Sequence, residues 1–485
     1  MSDDTADRPR EACGVFGVYA PGEDVARLTF FGLYALQHRG QESAGIATAH
    51  NGDLKVATGM GLVTHVFDEE QLSALPGDMA IGHTRYSTTG STNLRNAQPF
   101  VASCDRLGKI ALAHNGNVVN AQILFEELRE RGVPLRSSTD SEVIVAAIAC
   151  APGLTWADKI VHTLRRFSGA YSLGLLTADS LMAARDPLGI RPLCLGKLNG
   201  GWVIASETCA FDHLGAQFIR EIDPGELVII NKDGVTSHRI AEEPAARRAS
   251  CIFEYIYFAR PDSVMNGKLL YSARERMGAR LWEEHPIEAD VVIGTPDSSI
   301  PAAIGFARAS GIPYSEGLIK NRYVGRTFIQ PDQRIRELGV RLKFNPMPEV
   351  LRGKRVVVVD DSIVRGTTTP RVVALLRRAG ALEVHLRISS PPITHPCFFG
   401  VDMATRSELI GAQKTIPEIR EFVGADTLGY LSLEGLLHAV EGDDSKFCTA
   451  CLSGAYPVPV QLELDKLAFE HLPMVNVRPR AGEPV

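Results

Sequence analysis

Residues Val356–Thr369 read VVVVDDSIVRGTTT, and this run limits the architecture more than any other. Four consecutive β-branched residues favour an extended strand and leave it no polar face, so the strand must be covered on both sides. Two carboxylates, a glycine-containing polar loop and a helical pattern over Thr369–Arg378 follow directly. The same grammar recurs: ADVVIGTP leads into a helical pattern over Ser299–Ser310, and EVHLRISS is a third apolar strand. Strands buried on both faces and alternating with helices predict a parallel α/β sheet. Ligands of such sheets bind at the carboxyl ends of the strands, where Asp360 and Asp361 stand.

The first half obeys a different rule. From Gly14 to about Val235, short apolar runs (GVFGVYA, QESAGIATA, KIALAHNGNVV, AYSLGLLTA, GWVIASET, GELVII) are separated by Gly, Asn and Asp turns, which predicts layered antiparallel sheets in an α+β domain. Helical patterns interrupt them at Val25–Gln37, Asn120–Arg131 and Asp140–Ala149. The polar, Ala-rich stretch Arg239–Ser250 marks the boundary. A chain of 485 residues with 45% hydrophobic composition exceeds what one core supports, so two domains are expected, 13–245 and 251–485.

Charge and hydropathy narrow the function. The net charge of −6 gives no electrostatic footprint for nucleic acid or an anionic membrane. No stretch approaches the roughly 20 apolar residues a bilayer span needs. Met1–Ala12 carry four acids and two arginines without an apolar run, unlike a secretory signal. A cytoplasmic protein that binds neither nucleic acid nor membrane is the expectation. Nine cysteines then argue for reduced thiols rather than a disulfide framework.

Around the acidic strand end the chemistry favours phosphate and sugar. The loop Ser362–Thr368 offers hydroxyls and backbone N–H groups at a helix N-terminus, and adjacent carboxylates suit ribose hydroxyls or a hard divalent cation. The run closely resembles the phosphoribosyl pyrophosphate (PRPP) motif of type I phosphoribosyltransferases. That resemblance implies that Asp360 and Asp361 bind the ribose, that Ser362 and Arg365, Gly366, Thr367, Thr368 and Thr369 cradle the 5′-phosphate, and that one Mg²⁺ per subunit lies at Ser298, Asp360 and Asp361. GTPDSS, with Asp297, Ser298 and Ser299, resembles the family's pyrophosphate loop. Lys320, Arg322 and Arg326 in GLIKNRYVGRTFIQP would cover the leaving group and stabilise its charge.

Cys13 precedes the first apolar run, in EACGVFG. No Cys–His arrangement here demands a histidine base. A cysteine at a free N-terminus could instead use its own α-amino group, of pKa about 7.7–8.0, once Met1–Ala12 is removed as a propeptide. QHRGQES, GHTRYSTTG, HNGN and STDSE place Gly, Asn, Arg and His at strand ends. Together these clusters resemble the class II glutaminase domain of N-terminal-nucleophile amidotransferases, an αββα fold. The resemblance implies that Cys13 attacks the glutamine carboxamide, that Asn115 and the Gly116 backbone form an oxyanion hole in a tight Asn-Gly turn, and that Arg85 and Asp140 hold the substrate carboxylate and amine.

Four further cysteines stand apart. Cys448 and Cys451 form FCTAC, with Cys251 at the domain start and Cys397 in HPCFFG. Four thiolates can hold zinc or a [4Fe–4S] cluster. Cys104, Cys150, Cys194 and Cys209 read as structural thiols.

From Cys13 to about Pro457 the motifs follow the order of the glutamine PRPP amidotransferases, iron–sulfur subgroup. Membership implies one [4Fe–4S] cluster per subunit, a homotetramer, inhibition by purine nucleotides, and a dry internal passage for ammonia, for which the aromatic stretch EYIYFARPDS (Glu254–Ser263) is a candidate lining or ordinary packing. A glucosamine-phosphate synthase would need a sugar-isomerase second half, which VVVVDDSIVRGTTT opposes. A non-catalytic PRPP or nucleotide sensor would bind without releasing pyrophosphate.

Overall fold

The computed structural model describes residues 13–86, 91–240, 247–321, 344–402, 405–442 and 445–460. Met1–Ala12, Arg322 and Arg326 lie outside the described residues. The chain divides into two compact units, one of residues 11–250 together with Phe398–Asp402, the other of Cys251–Cys397 with the segment ending at Pro457.

In the first unit the strands run β1 (Gly14–Tyr19), β2 (Ser43–His50), β3 (Asp53–Met60), β4 (Met79–Arg85), β5 (Phe100–Cys104), β6 (Gly108–Val118), β7 (Gly169–Leu176), β8 (Leu181–Arg185), β9 (Cys194–Leu198), β10 (Gly201–Ala205), β11 (Gln217–Glu221), β12 (Glu226–Asn231) and β13 (Gly234–Arg239). They form two antiparallel sheets, ordered β11-β9-β10-β1-β4-β2-β3 and β13-β12-β8-β7-β6-β5. Val15, Ile81, Ala113, Leu181, Leu195 and Val228 fill the space between them. On its other face the first sheet packs Phe16, Val18 and Val203 against Val25 and Leu33 of the helix Val25–Ala35, with Phe211 of Cys209–Leu214. The second sheet packs likewise against helices Ala121–Glu130, Asp140–Cys150 and Trp156–Leu164.

These are the expected αββα layers. They explain why central strands such as β1, β4 and β7 lack strict apolar/polar alternation: both faces are covered, one by the partner sheet and one by helices. The helix expected over Val25–Gln37 ends at Ala35, and Gln37–Arg39 tightens into a separate 3₁₀ turn. A single turn of this kind commonly closes a helix.

In the second unit β14 (Ser250–Cys251) leads through a π-helical turn, Glu254–Phe258, to a hairpin of β15 (Val264–Met265) and β16 (Lys268–Leu269). The sheet is built from β17 (Val291–Gly294), β20 (Arg355–Asp360), β21 (Glu383–Ile388) and β22 (Thr427–Tyr430), all parallel in that order. Between its first two strands in sequence lies a further antiparallel pair, β18 (Leu318–Lys320) with β19 (Phe344–Pro346), and β23 (Phe447–Cys448) returns to pair with β14. Val356, Val358, Leu386 and Ile388 face a core completed by Val372 and Leu376 of the helix Thr369–Arg378. The four valines of β20 are wholly buried, on both faces. Phe253, Tyr255 and Phe258 are buried too. Tyr255 meets the Phe447 ring edge-on at 5.3 Å and donates its hydroxyl to the Met265 carbonyl at 3.1 Å.

Candidate active sites

Cys13 stands one residue before β1, whose pairing with β4 begins at Gly14↔Thr84. Its carbonyl therefore lies outside the ladder and accepts from Arg39 Nε at 3.1 Å, while its thiol donates to the Tyr86 carbonyl at 3.3 Å. Burial pushes this thiol up; the Tyr86 contact and the nearby Arg85 guanidinium pull it down. Arg85, at the end of β4, is buried, lies 3.8 Å from Glu42, and donates to the Ser91 carbonyl at 3.3 Å. Asn96 ties that loop across to the Asp140 region: its amide nitrogen donates to Ser91 O and to Ser138 Oγ (2.8 and 2.9 Å), and its oxygen accepts from Ser138 N.

Asp140 opens the helix Asp140–Cys150, and its Oδ2 accepts from Val118 N at 3.0 Å and lies 3.7 Å from His114 Nδ1. Between His114 and Val118 sit Asn115 and Gly116. The structure corrects one expectation here: this Asn-Gly pair is no turn but part of β6, opposite Ser172 and Tyr171 of β7. A glycine is needed because φ is +149° and a Cβ would lie 2.1 Å from the Ala170 carbonyl oxygen. Asn115 is wholly buried, and neither its amide nitrogen nor its oxygen has a partner among the described residues. A buried amide left unsatisfied costs about 1–3 kcal/mol, and such an expense at a strand end is what a substrate oxygen would relieve.

Several polar groups around this pocket escaped the sequence reading. Arg39 and Glu207 form a fully buried ion pair beneath Cys13. Arg191 is wholly buried, its carbonyl accepting from Ser172 Oγ at 3.0 Å, and its charge acts on both the Cys13 thiol and the His114 ring. A buried arginine in DPLGIRP was the only signal, and one weak in isolation.

In the second unit, β20 delivers Asp360 and Asp361 and β17 delivers the Thr295–Ser299 loop beside them. Ser298 Oγ donates to Asp361 Oδ2 at 2.6 Å, Ser299 Oγ to Asp360 Oδ1 at 3.0 Å, and Ser362 Oγ to Asp361 Oδ1 at 2.8 Å. Asp361 is only 1% exposed, whereas Asp360 is partly open. Asp297 pairs with Lys320 at 2.6 Å. Arg365 lies 3.9 Å from Glu408, Gly366 takes φ +74°, and Thr367 Oγ1 is buried without a partner among the described residues. Thr368 and Thr369 begin the helix Thr369–Arg378. The carboxylates, the hydroxyl loops and Lys320 thus gather on the carboxyl-end side of β17 and β20.

The four singled-out cysteines also converge. β14 pairs with β23, bringing Cys251 toward Cys448, and the Cys451 carbonyl accepts from Thr394 N and His395 N at 3.0 and 3.1 Å. Burial drives the Cys451 thiol well up, and Cys397, Cys251 and Cys448 all push it further, so these three lie within electrostatic reach of Cys451. Among the described residues, no three His, Cys, Asp or Glu side chains close around a single metal-ion position. All nine cysteines are free; Cys194 and Cys209 are buried, whereas Cys150 is exposed and Cys104 partly so.

A buried cysteine before the first strand of a two-sheet domain, joined to a parallel α/β domain with an acidic strand end, defines a glutamine amidotransferase coupled to a phosphoribosyltransferase. Comparison with known proteins agrees for both halves: residues 83–213 match the glutamine amidotransferase domain, and residues 262–389 the phosphoribosyl transferase domain. The amidophosphoribosyltransferase of Synechocystis sp. is 54% identical over 97% of this chain and 96% of its own length, and that of Bacillus subtilis 49% identical over 93% and 95%. The solved structure of glutamine PRPP amidotransferase from B. subtilis complexed with ADP and GMP superposes with a TM-score of 0.88 at 48% identity, covering 93% of this chain and 98% of that one. The chain belongs to the amidophosphoribosyltransferase family. It transfers glutamine-derived ammonia to C1 of PRPP, giving 5-phosphoribosylamine, glutamate and pyrophosphate in purine biosynthesis.

Proposed function

We propose that the glutaminase half-reaction runs on Cys13 as residue one of the processed chain, and that the acceptor half-reaction runs on the Asp360–Thr369 loop. The observation that carries the first part is Asn115, a wholly buried amide with no partner among the described residues. Sulfur attacks the glutamine carboxamide carbon, its proton passes to the Cys13 α-amino group, and the carbonyl electron pair moves to oxygen. Asn115 and the Gly116 N–H hold that oxyanion. The tetrahedral species collapses by expelling ammonia, which carries off the proton, and water then hydrolyses the thioester to glutamate. Arg85 pairs the substrate carboxylate and Asp140 its ammonium group.

At the acceptor site Asp360 and Asp361 hold the ribose hydroxyls. Backbone N–H groups and hydroxyls of Ser362 and Arg365–Thr369 hold the 5′-phosphate, and Lys320 meets the pyrophosphate, a role the resemblance also gives to Arg322 and Arg326. Ammonia's lone pair attacks C1 as the C1–O bond to pyrophosphate breaks. The set Ser298, Asp360 and Asp361 offers hard oxygen donors of the kind Mg²⁺ prefers when it shares its shell with phosphates. One Mg²⁺ per subunit there would neutralise charge on the departing pyrophosphate.

Placement in the iron–sulfur subgroup is supported by the convergence of Cys251, Cys397, Cys448 and Cys451. Four thiolates can hold zinc or a [4Fe–4S] cluster, and the resemblance to the iron–sulfur subgroup favours the cluster. Its role is structural, joining the segment after β23 to both ends of the second unit. The remaining properties rest on the relatives. Purine nucleotides are the proposed feedback inhibitors, since the B. subtilis relative was solved with ADP and GMP. The proposed state is a cytoplasmic homotetramer, and no helix among the described residues is long and apolar enough to cross a membrane.

Cys13→Ala should abolish glutamine-dependent pyrophosphate release while leaving release driven by high ammonia intact. Loss of both would refute separate half-sites, and intact mass showing Met1–Ala12 retained in active enzyme would refute the α-amino base.

A further inference from the structure

We propose that Glu207 is a positioning residue for the glutaminase nucleophile, acting through Arg39 on the backbone of Cys13; the inference rests on Cys13 being that nucleophile. The reasoning begins with what an N-terminal residue lacks. A chain end frays unless something other than its own sequence neighbours ties it down, and Cys13 precedes the first ladder pair of β1. Its carbonyl is instead held by Arg39 Nε at 3.1 Å. The same guanidinium donates through Nη1 to Glu207 Oε1, and both side chains are fully buried. A planar guanidinium clamped at one edge by a carboxylate has its other edge aimed as well.

The position of Glu207 is itself fixed by the strand that Cys13 leads into. Immediately after β10, Ser206 N donates to the Val15 carbonyl at 2.9 Å and Val15 N donates to Ser206 Oγ at 3.0 Å. These bonds carry the β1–β10 pairing one residue beyond the strand, to Ser206, and place Glu207 beneath residue 13. His38 Nε2 lies 2.7 Å from the same Glu207 oxygen, and the Cys209 thiol reaches its other oxygen at 3.7 Å. Burial pushes the Glu207 carboxyl up, but His38 and then Arg39 outweigh it and hold the group well below the usual range, so it is a carboxylate at any working pH. A buried ion pair is not in itself a stabilising device. This one spends a further donor, Arg39 Nε, on the residue that carries the nucleophile, which a pair serving only the core would have no reason to do.

The test uses the full-length enzyme with three readouts: glutamine kcat and KM, the ammonia-dependent rate, and the mass of the N-terminus. Glu207→Gln keeps the shape and removes the charge that fixes Arg39. It should lower glutamine kcat about tenfold or more, leave glutamine KM within about twofold, and leave the ammonia-dependent rate and the processed N-terminus unchanged. Arg39→Lys should give the same split, and the double variant should be no worse than either single one, as expected for residues acting as a unit. Unchanged glutamine kcat in Glu207→Gln overturns the inference. A parallel fall in the ammonia-dependent rate also overturns it, because that marks general destabilisation. Should Glu207→Gln not fold, Arg39→Lys decides by the same split. If Cys13→Ala still used glutamine, the nucleophile assignment would fall, not the link from Glu207 to Arg39.

Discussion

His83 Nε2 donates a 3.0 Å hydrogen bond to the carbonyl of His114, so the end of β4 in one sheet is tied to the strand that carries Asn115 in the other. The His83 ring is wholly buried and its Nδ1 has no partner among the described residues. Burial depresses this histidine from 6.5 to about 3, which keeps it neutral in the folded state.

Acid lability follows. With the folded value below the unfolded one, the unfolded chain binds the proton more tightly, so stability present above pH 6.5 is lost as pH falls toward 3. The limit is about 5 kcal/mol. Asp186 works the other way, its burial raising it from 3.8 to about 6, but over a smaller span. Glu207, held low, adds to the loss on the acid side. Between pH 6 and 4 the His83 loss and the Asp186 gain largely offset, so stability should fall mainly below about pH 4.5, where Glu207 joins His83, measured by denaturant unfolding of the intact enzyme. His83→Gln, which keeps a donor near the Nε2 position, should flatten that dependence while matching the parent at pH 8. An equally steep dependence in the variant would rule His83 out as its source.

Substitution of the two adjacent aspartates should register in different measurements. Asp361 is buried and accepts from Ser298, Ser299 and Ser362. Asp361→Asn turns one of its oxygens into a donor facing a hydroxyl, and should cost about 1–3 kcal/mol of stability. Asp360 accepts Ser299 Oγ and Asp361 N on the same oxygen, Oδ1, and asparagine can keep both bonds. Asp360→Asn should hold the parent's melting temperature yet raise KM for PRPP about tenfold or more, the effect expected on losing a charged hydrogen bond to a ribose hydroxyl. Thermal unfolding beside PRPP kinetics reads both; an unchanged KM would remove Asp360 from the ribose site.

How much of this was legible in the sequence depended on the reach of each interaction. The strand end Asp360–Asp361 was readable because four valines, two acids and a Gly-Thr loop are contiguous, and local pattern carries the whole argument. Asn115–Gly116 was found as a motif but assigned to a turn, since Asn-Gly favours turns and only the pairing with Ser172 and Tyr171 fixes it in β6. The Arg39–Glu207 pair was invisible: its members lie 168 residues apart and meet only because β10 lies beside β1. The stretch Glu254–Ser263 was ambiguous between lining and packing, and the burial of Tyr255 and Phe258 fits either reading.

The cysteines divide by burial and company. Cys451 lies among three other thiols and is buried, whereas Cys150 is exposed at a helix end. Cys451→Ser should strip iron from the purified protein, abolish visible cluster absorption and lower the melting temperature by several degrees, roughly what about 1–3 kcal/mol produces in a chain of this size. Cys150→Ser should do none of these. Stoichiometric zinc in place of iron in the parent enzyme would refute the cluster.

The last prediction concerns Gly400. Phe398–Asp402 come late in the chain but pack with the first unit, where the Phe398 carbonyl accepts from Asn117 Nδ2 at 2.9 Å. Gly400 takes φ +93°, and a Cβ there would come within 2.7 Å of the Gly116 Cα and carbonyl carbon. Those are backbone atoms, which cannot swing aside like the end of a flexible side chain. Gly400→Ala must therefore displace Gly116, and displacement of an oxyanion donor by even 1 Å costs about a hundredfold in rate. Glutamine-dependent turnover should fall by at least tenfold, mostly in kcat, with the ammonia-dependent rate retained. If glutamine kcat stays at the parent level while the variant is folded, Gly116 does not need the place it occupies here, and its role as an oxyanion donor would have to be given up.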